Sequence, residues 1–168
     1  MLDNLSFSMQ SKTKVISDIK SLTKICENLT AQNQKIVMTN GCFDIIHPGH
    51  VYLLAESKKL GDALIVAVNS DASVRRLKGD NRPINNQEDR LYVLSGLQSV
   101  DYVILFDEET PEKLICSILP DILVKGSDYR NKEIAGRNCM EENEKRIILV
   151  DILPGKSTTN VIDKASKS

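Results

Sequence analysis

The chain has 168 residues, of which 41% are hydrophobic and 27% are charged, and its formal net charge at pH 7 is −1. This length and composition are typical of one globular domain with its own hydrophobic core. The small net charge and the lack of any long block of like charges argue against a nucleic acid or a membrane surface as the main partner, so we expect small-molecule ligands. Because the sequence has neither a secretory segment nor a long apolar run, we expect a cytoplasmic protein.

The N-terminal region is polar and without periodicity, so we predict a flexible lead-in over residues 1–14 and a single domain over residues 15–168. From residue 16 to residue 29, apolar side chains recur at helical spacing and predict a first helix. The cysteines are far apart and form no CxxC motif, which favours reduced thiols over a disulfide framework. They are Cys26, Cys42, Cys116 and Cys139.

Apolar runs alternate with amphipathic segments along the rest of the chain. The runs predict strands at residues 35–38, 63–68, 102–106, 122–124 and 147–150. This rhythm predicts an α/β fold with a doubly wound, Rossmann-like parallel sheet, right-handed crossovers and a site beyond the carboxyl ends of the strands. Neither GxGxxG nor a P-loop motif occurs, so the common dinucleotide-binding and NTPase interpretations lose their main support.

Residues 39–50 connect the first apolar run to a helix that Pro48 is placed to open. A helix N-terminus has unpaired backbone N–H groups and a partial positive charge, so it can bind an anion. The only histidines, His47 and His50, are three residues apart across this helix start and can donate hydrogen bonds to the same anion. A capping or surface role is the alternative, while zinc is disfavoured because no cysteine or carboxylate stands at ligand spacing.

Three further polar segments stand at predicted strand or helix ends. Residues 78–85, followed by Arg90, present basic side chains that can wrap the phosphates of a nucleotide. Residues 125–129 come directly after an apolar strand, and Lys125 and Asp128 among them can reach a base, a ribose or a sugar. Residues 155–160 follow the last predicted strand, and Ser157, Thr158 and Thr159 among them have the composition of a helix cap and first turn, a second place for a phosphate. Each segment also has an alternative interpretation without a ligand. The first can be a solvated basic loop, the second a turn at a strand end, and the third a plain helix cap.

The string Gly41-Cys42-Phe43-Asp44 followed by His47-Pro48-Gly49-His50 resembles the signature of the cytidylyltransferase-like nucleotidyltransferase superfamily, which also carries a Ser-Thr-Thr helix start near its C-terminus. Further strings extend the resemblance over roughly residues 22–165. They are T-N-G-C-F-D, V-N-S-D-A-S-V-R-R-L-K-G, R-P-I-N, T-P-E-K-L-I and P-D-I-L-V-K-G. Together they are similar to the D-glycero-β-D-manno-heptose 1-phosphate adenylyltransferase family.

This resemblance implies an enzyme that transfers AMP from ATP to the sugar phosphate and releases pyrophosphate, for lipopolysaccharide core or another surface glycan. The implied catalytic residues are His47, His50 and Lys78. The implied nucleotide-binding and phosphate-binding residues are Gly41, Cys42, Phe43, Gly49, Arg90, Gly126, Asp128, Ser157, Thr158 and Thr159. Candidates for binding the acceptor are Asp44, Asn69, Arg82 and Lys125. The resemblance also implies Mg²⁺ held by ATP rather than by protein ligands, and a homo-oligomer of two or more chains.

Two other functions stay open at this point. A cytidylyltransferase acting on glycerol 3-phosphate has the same fold, although such relatives usually carry an arginine before Ser-Thr-Thr, where this chain has Lys156. A nucleotide-binding module without turnover is the other, and the presence of His47, His50 and Lys78 argues against it. Ser127 stands where a second glycine is expected in the heptose family, at a position that bears on the sugar and base preference.

Overall fold

The computed structural model describes residues 14–167. Within them, six strands form one parallel sheet in the order β1-β4-β3-β2-β5-β6. The strands are β1 Val15–Ile16, β2 Ile36–Gly41, β3 Ala63–Asn69, β4 Tyr102–Phe106, β5 Ile122–Gly126 and β6 Arg146–Val150. Every residue of β3 is buried, as expected for an inner strand covered on both faces.

Helices connect the strands and cover the sheet. They are α1 Ile19–Ala31, α2 Pro48–Lys58, α3 Asp71–Lys78, α4 Gln87–Ser95, α5 Glu112–Ile118, α6 Arg137–Glu142 and α7 Thr158–Ala165, with a 3₁₀ turn at Ser127–Tyr129. Side-chain caps define where several begin, because an oxygen or ring nitrogen accepts a hydrogen bond from a first-turn backbone N–H. These caps are Asp18, His47, Ser70, Asn86 and Ser157. None of the helices in residues 14–167 has the length and apolar character needed to cross a membrane.

The sheet separates two hydrophobic cores, because successive side chains of a strand point to opposite faces. Met38 and Leu123 point toward α1, α5 and α6, on the side that we call the α1 face. Val37 and Val124 point toward α2 and α4, on the side that we call the α2 face. Each fully buried aliphatic side chain of these cores contributes about 1.5–3 kcal/mol by leaving water.

The strand order reverses between β2 and β5. From β2 the chain winds outward through β3 to β4, and it then crosses back to add β5 and β6 on the other side of β2. At such a switch point the connections leave the two central strands in opposite directions, so a crevice opens beyond their carboxyl ends. Residues 42–47 and 127–129 leave β2 and β5 at that crevice.

The predicted doubly wound parallel sheet is confirmed, and each predicted apolar run contributes a strand. The short edge strand Val15–Ile16, which pairs with β4, was not predicted because two residues show no periodicity. It takes the place of the first turn predicted for helix α1, which begins at Ile19 after the Asp18 cap. The predicted flexible lead-in lies outside the described residues except for Lys14.

The prediction that all four cysteines are reduced is wrong for two of them. Cys116 of α5 and Cys139 of α6 form a disulfide, with their Cα atoms 5.7 Å apart. The helices come this close because Gly136 packs on Ile115, where a Cβ atom would stand only 2.7 Å from the isoleucine Cγ2. The pair is 23 residues apart in sequence, so only the packing of α5 on α6 reveals it.

Replacing both Cys116 and Cys139 by serine should lower the free energy of unfolding by about 3 kcal/mol, because the bridge closes a loop of roughly 25 residues in the unfolded chain. Urea denaturation of the oxidised protein and of the double variant measures the difference. A reducing agent should lower the midpoint of the wild type and leave that of the double variant unchanged. Equal midpoints for the oxidised protein and the double variant would contradict the expected stabilisation.

Candidate active site

A cavity of about 740 Å³ occupies the crevice at the carboxyl ends of the central strands. Its size is that of a small-molecule site. Five stretches of chain contribute to its wall, drawn from residues 39–53, 69–82, 109–112, 125–135 and 152–159. The wall therefore combines loops from both sides of the switch point, including the start of α2 and the start of α7.

His47 and His50 lie on this wall at the start of α2, with their ring centroids 3.8 Å apart and their planes 25° apart. Burial lowers the pKa of His47. Burial and the neighbouring charge of His47 lower the pKa of His50 to about 4. Both rings are therefore neutral at pH 7. His47 Nδ1 accepts a hydrogen bond from Gly49 N at 3.1 Å, so its proton is on Nε2, which is left to donate to a ligand.

The helix start is tightly packed around Gly49. A Cβ atom there would lie 3.0 Å from the His47 ring and 3.3 Å from Lys156 Cβ, so a side chain would press on both residues. The ring of His50 packs against Phe43, with centroids 5.1 Å apart, and its buried Nδ1 has no hydrogen-bond partner among residues 14–167. Packing thus holds the two imidazoles in place beside the unpaired N–H groups of α2.

The carboxylate of Asp44 holds the loop that follows α3. It accepts hydrogen bonds from Arg82 Nε at 2.5 Å, Ile84 N at 2.8 Å and Asn85 N at 2.9 Å. Burial opposes its ionisation, but these hydrogen bonds outweigh burial and hold the pKa of Asp44 below its usual value. Its side chain is only 1% exposed. The geometry therefore makes Asp44 a positioning residue for the loop that carries Arg82, rather than a free carboxylate for a ligand.

Arg90 is the one predicted site residue that the structure does not bring to the cavity wall. Its fully buried guanidinium donates to the Asn85 carbonyl at 3.1 Å, the Cys42 carbonyl at 2.5 Å and Asp71 Oδ1 at 2.8 Å. These three contacts join the turn after β2 to the loop before α4 and to the start of α3. Arg90 therefore supports the wall from behind, and it is no direct phosphate ligand in this structure.

On the opposite wall, Lys125 is the residue before the last of β5 and is 5% exposed. Its Nζ donates to Asn40 Oδ1 and lies 4.8 Å from the centroid of the Tyr129 ring. Burial lowers the pKa of Lys125 to about 8, and the charge of Asp128 opposes that shift. Gly126 lies against Asp128, where a Cβ atom would be 2.6 Å from the carboxylate Oδ1.

The start of α7 contributes a second helix N-terminus. Ser157 caps it by accepting a hydrogen bond from Asn160 N at 3.1 Å, and Thr158 and Thr159 reach the cavity wall beside it. Lys156 precedes the cap and also lines the cavity. Two helix N-termini, two neutral imidazoles and several cationic side chains therefore converge on one cavity, an arrangement that suits a ligand with several phosphate groups.

Every predicted site residue except Arg90 lies on this wall. Several other wall residues received no role from the sequence, namely Asn40, Glu109, Glu112, Tyr129, Glu133 and Lys156. Asn40 lies within the string T-N-G-C-F-D, and Tyr129 and Lys156 lie within the polar segments 125–129 and 155–160, so membership of these segments was a sequence signal for the site. The three glutamates are exposed residues in loops or at a helix start and carry no sequence signal for the site.

The fold and the cavity define an α/β protein with a doubly wound parallel sheet and a cavity at its switch point whose wall suits phosphate groups. The chain belongs to the cytidylyltransferase-like family of nucleotidyltransferases, whose family model matches residues 38–164. This membership confirms the superfamily indicated by the Gly-Cys-Phe-Asp and His-Pro-Gly-His strings.

Similar curated proteins include the bifunctional protein HldE of Wolinella succinogenes, 52% identical over 159 residues that make up 95% of this chain and 32% of that protein. The bifunctional protein HldE of Haemophilus influenzae is 58% identical over 134 residues, which are 80% of this chain and 28% of that protein. The chain thus spans about a third of the length of these relatives.

Two solved structures are also similar. The lipopolysaccharide core biosynthesis protein of Thermoplasma volcanium is 36% identical with a TM-score of 0.57, and the match covers 71% of this chain and 97% of that one. Pantoate-beta-alanine ligase of Francisella tularensis has a TM-score of 0.61 at 18% identity, over 91% of this chain and 76% of that one, and shows the fold alone.

Replacing Asp44 by asparagine should lower the free energy of unfolding by about 3 kcal/mol, because it leaves the Arg82 guanidinium without its buried anion. Urea denaturation measures the loss. Asp128→Asn is the matched control: its carboxylate pairs with the exposed Lys132 at 3.1 Å, so less than about 1 kcal/mol should be lost. Similar losses in the two variants would show that the buried ion pair of Asp44 with Arg82 does not stabilise the fold.

Proposed function

We propose that the chain transfers AMP from ATP to the phosphate of D-glycero-β-D-manno-heptose 1-phosphate, giving ADP-heptose and pyrophosphate for lipopolysaccharide core or another surface glycan. The observation that carries the proposal is the pair of neutral imidazoles at the start of α2, which line a cavity of about 740 Å³, large enough for a nucleotide. The 52% identity with the HldE relative and the resemblance to heptose 1-phosphate adenylyltransferases support the choice of acceptor.

In this reaction an anionic phosphate oxygen of the acceptor attacks the α-phosphorus of ATP. A bond forms between them, and the bond from the α-phosphorus to the bridging oxygen breaks, so the electron pair leaves with pyrophosphate. The nucleophile is already ionised and requires no general base. The protein's task is to align the two phosphates and to stabilise the negative charge that develops between them.

The residues divide this task by position. His47 Nε2–H, His50 and the N–H groups of α2 would donate to oxygens around the α-phosphorus. Lys78 and Arg82, on the wall beside them, would stabilise the triphosphate and the leaving pyrophosphate. The N-terminus of α7, with the hydroxyls of Ser157, Thr158 and Thr159, would bind the outer phosphates.

Mg²⁺ is the expected companion of ATP in such a transfer, where it would neutralise phosphate charge. Within residues 14–167 no cluster of three histidine, cysteine, aspartate or glutamate side chains is positioned to hold a metal ion. We expect the ion to be bound mainly by the phosphate oxygens themselves, and no step is assigned to a metal held by the protein. The proposal includes the homo-oligomer that the resemblance implies, which sedimentation of the purified chain would measure.

Pyrophosphate release tests the proposal. Purified protein with Mg²⁺ would be incubated with the heptose 1-phosphate or with glycerol 3-phosphate, each with ATP, CTP or GTP. Release that needs both ATP and the heptose 1-phosphate is the expected result. Release only with CTP and glycerol 3-phosphate would favour the cytidylyltransferase alternative, and ATP binding without release under any condition would favour a binding module.

His47→Ala or His50→Ala should lower kcat by about 10²–10³, the scale for losing one hydrogen-bond donor to the transition state. His47→Asn separates capping from chemistry, since an asparagine side chain can still cap α2 but lacks the imidazole Nε2–H. Val51→Ala, at an exposed position of the same helix, is the control and should keep full turnover. If both alanine variants turn over as fast as the Val51 variant, the imidazoles do not stabilise the transition state.

A further inference from the structure

The sheet divides the cavity into two halves, because each strand end points its side chains to one face or the other. Lys125 follows Leu123 by two residues, and Asn40 follows Met38 in the same way, so both belong to the α1 face. Tyr129 packs against the core of that face as well. His47 and His50 start α2 and belong to the α2 face, where Phe43 packs with the helix. The paired imidazoles and Lys125 thus line opposite halves of one cavity.

The two halves differ in charge. The α2-face half joins the imidazoles and the α2 N-terminus to Lys156, whose Cβ lies beside Gly49. The α1-face half has Lys125 between Asn40 and Tyr129. The loop before α6 and the start of α5, which cover that face, add three carboxylates to the wall. They are Glu109, Glu112 and Glu133. A triphosphate is repelled by three carboxylates and attracted by the other half.

Lys125 is a buried cation without a buried anion. Its ammonium group has three N–H donors, and residues 14–167 supply one oxygen acceptor, Asn40 Oδ1, together with the face of the Tyr129 ring. Among residues 14–167 no carboxylate lies within 4.0 Å of Nζ, since Asp128 pairs with Lys132 instead. A desolvated ammonium group left in this state is unfavourable, and an anion entering from the cavity would satisfy it.

We propose that Lys125, held by Asn40, is the residue that binds the phosphate group of the acceptor, so that acceptor and triphosphate enter opposite halves of the cavity and meet above the ends of β2 and β5. The identity of the acceptor rests on the proposed function, whereas the division of the cavity does not. The carboxylates of the α1-face half accept hydrogen bonds from hydroxyl groups, which fits an acceptor that carries several hydroxyls in addition to its phosphate.

The burial of Lys125 also makes the binding of the acceptor phosphate depend on pH. Its pKa is lowered to about 8, with Asp128 opposing the shift. Lys132 Nζ lies 5.0 Å from the centroid of the same Tyr129 ring. A bound phosphate favours the ammonium form, so binding near pH 8 takes up a proton. The affinity for the phosphate group is highest below pH 8 and falls as the pH rises through the pKa of Lys125.

Calorimetric titration of the full chain with D-glycero-β-D-manno-heptose 1-phosphate, without ATP, tests the inference between pH 7 and pH 9.5. The dissociation constant of the wild type should rise by up to about tenfold per pH unit above pH 8. The heat measured at pH 8 in buffers of different ionisation enthalpy should show proton uptake.

Lys125→Met should weaken this binding by about 10–100-fold at pH 7, the scale for losing one charge-assisted hydrogen bond, and should leave ATP affinity unchanged. Lys125→Arg should keep the affinity within a few-fold and remove its pH dependence, since the guanidinium stays charged. Lys132→Met is the matched control: it removes the exposed ammonium group over Tyr129 and should change neither ligand's affinity.

Loss of ATP affinity in Lys125→Met, or unchanged binding of the sugar phosphate, would overturn the inference. If the heptose 1-phosphate does not bind, the same titration is repeated with glycerol 3-phosphate. Binding of glycerol 3-phosphate that depends on Lys125 and takes up a proton would support the division of the cavity and contradict the proposed acceptor. Absence of binding for both phosphates would overturn it. Pyrophosphate release is measured separately, so the two failures are distinguishable.

Discussion

The pairing of β2 with β5 is the constraint on which the cavity depends. Their register runs from Val37 opposite Ile122 to Thr39 opposite Val124 and then stops, where the Thr39 hydroxyl donates to the Val124 carbonyl at 3.0 Å. Beyond this point the connections leave in opposite directions, one toward α2 and one through the 3₁₀ turn. The space between them is the cavity, so many of the residues that line it directly follow a buried strand.

Buried polar contacts then hold the loops around this opening. Asp44 and Arg90 lie on either side of the turn after β2 and satisfy backbone donors and acceptors that would otherwise be orphaned. Asp44 binds Arg82, 38 residues away, and Arg90 binds the carbonyl of Cys42, 48 residues away, so the two side chains connect segments that are distant in sequence. Substitutions at these positions act on the site through the shape of its wall, not through contact with a ligand.

Burial also sets the charge of the groups that face the ligands. At the start of α2 it lowers the pKa of both imidazoles, so they act as neutral donors and the helix N-terminus supplies the positive potential. At the end of β5 it leaves Lys125 as a desolvated ammonium group beside Asn40. The cavity wall thus has two neutral imidazoles on one face of the sheet and the buried ammonium group of Lys125 on the other.

The sequence by itself determined the parallel sheet and most of the cavity wall. Apolar periodicity is a local property, and the carboxyl ends of parallel strands must meet at one edge, so motifs that follow strands converge without further information. Only the tertiary structure decided the role of Arg90, the disulfide between Cys116 and Cys139, and the three glutamates of the α1-face half. These features depend on which loops and helices approach one another although they are many residues apart in sequence. Local sequence patterns carry no information about such contacts.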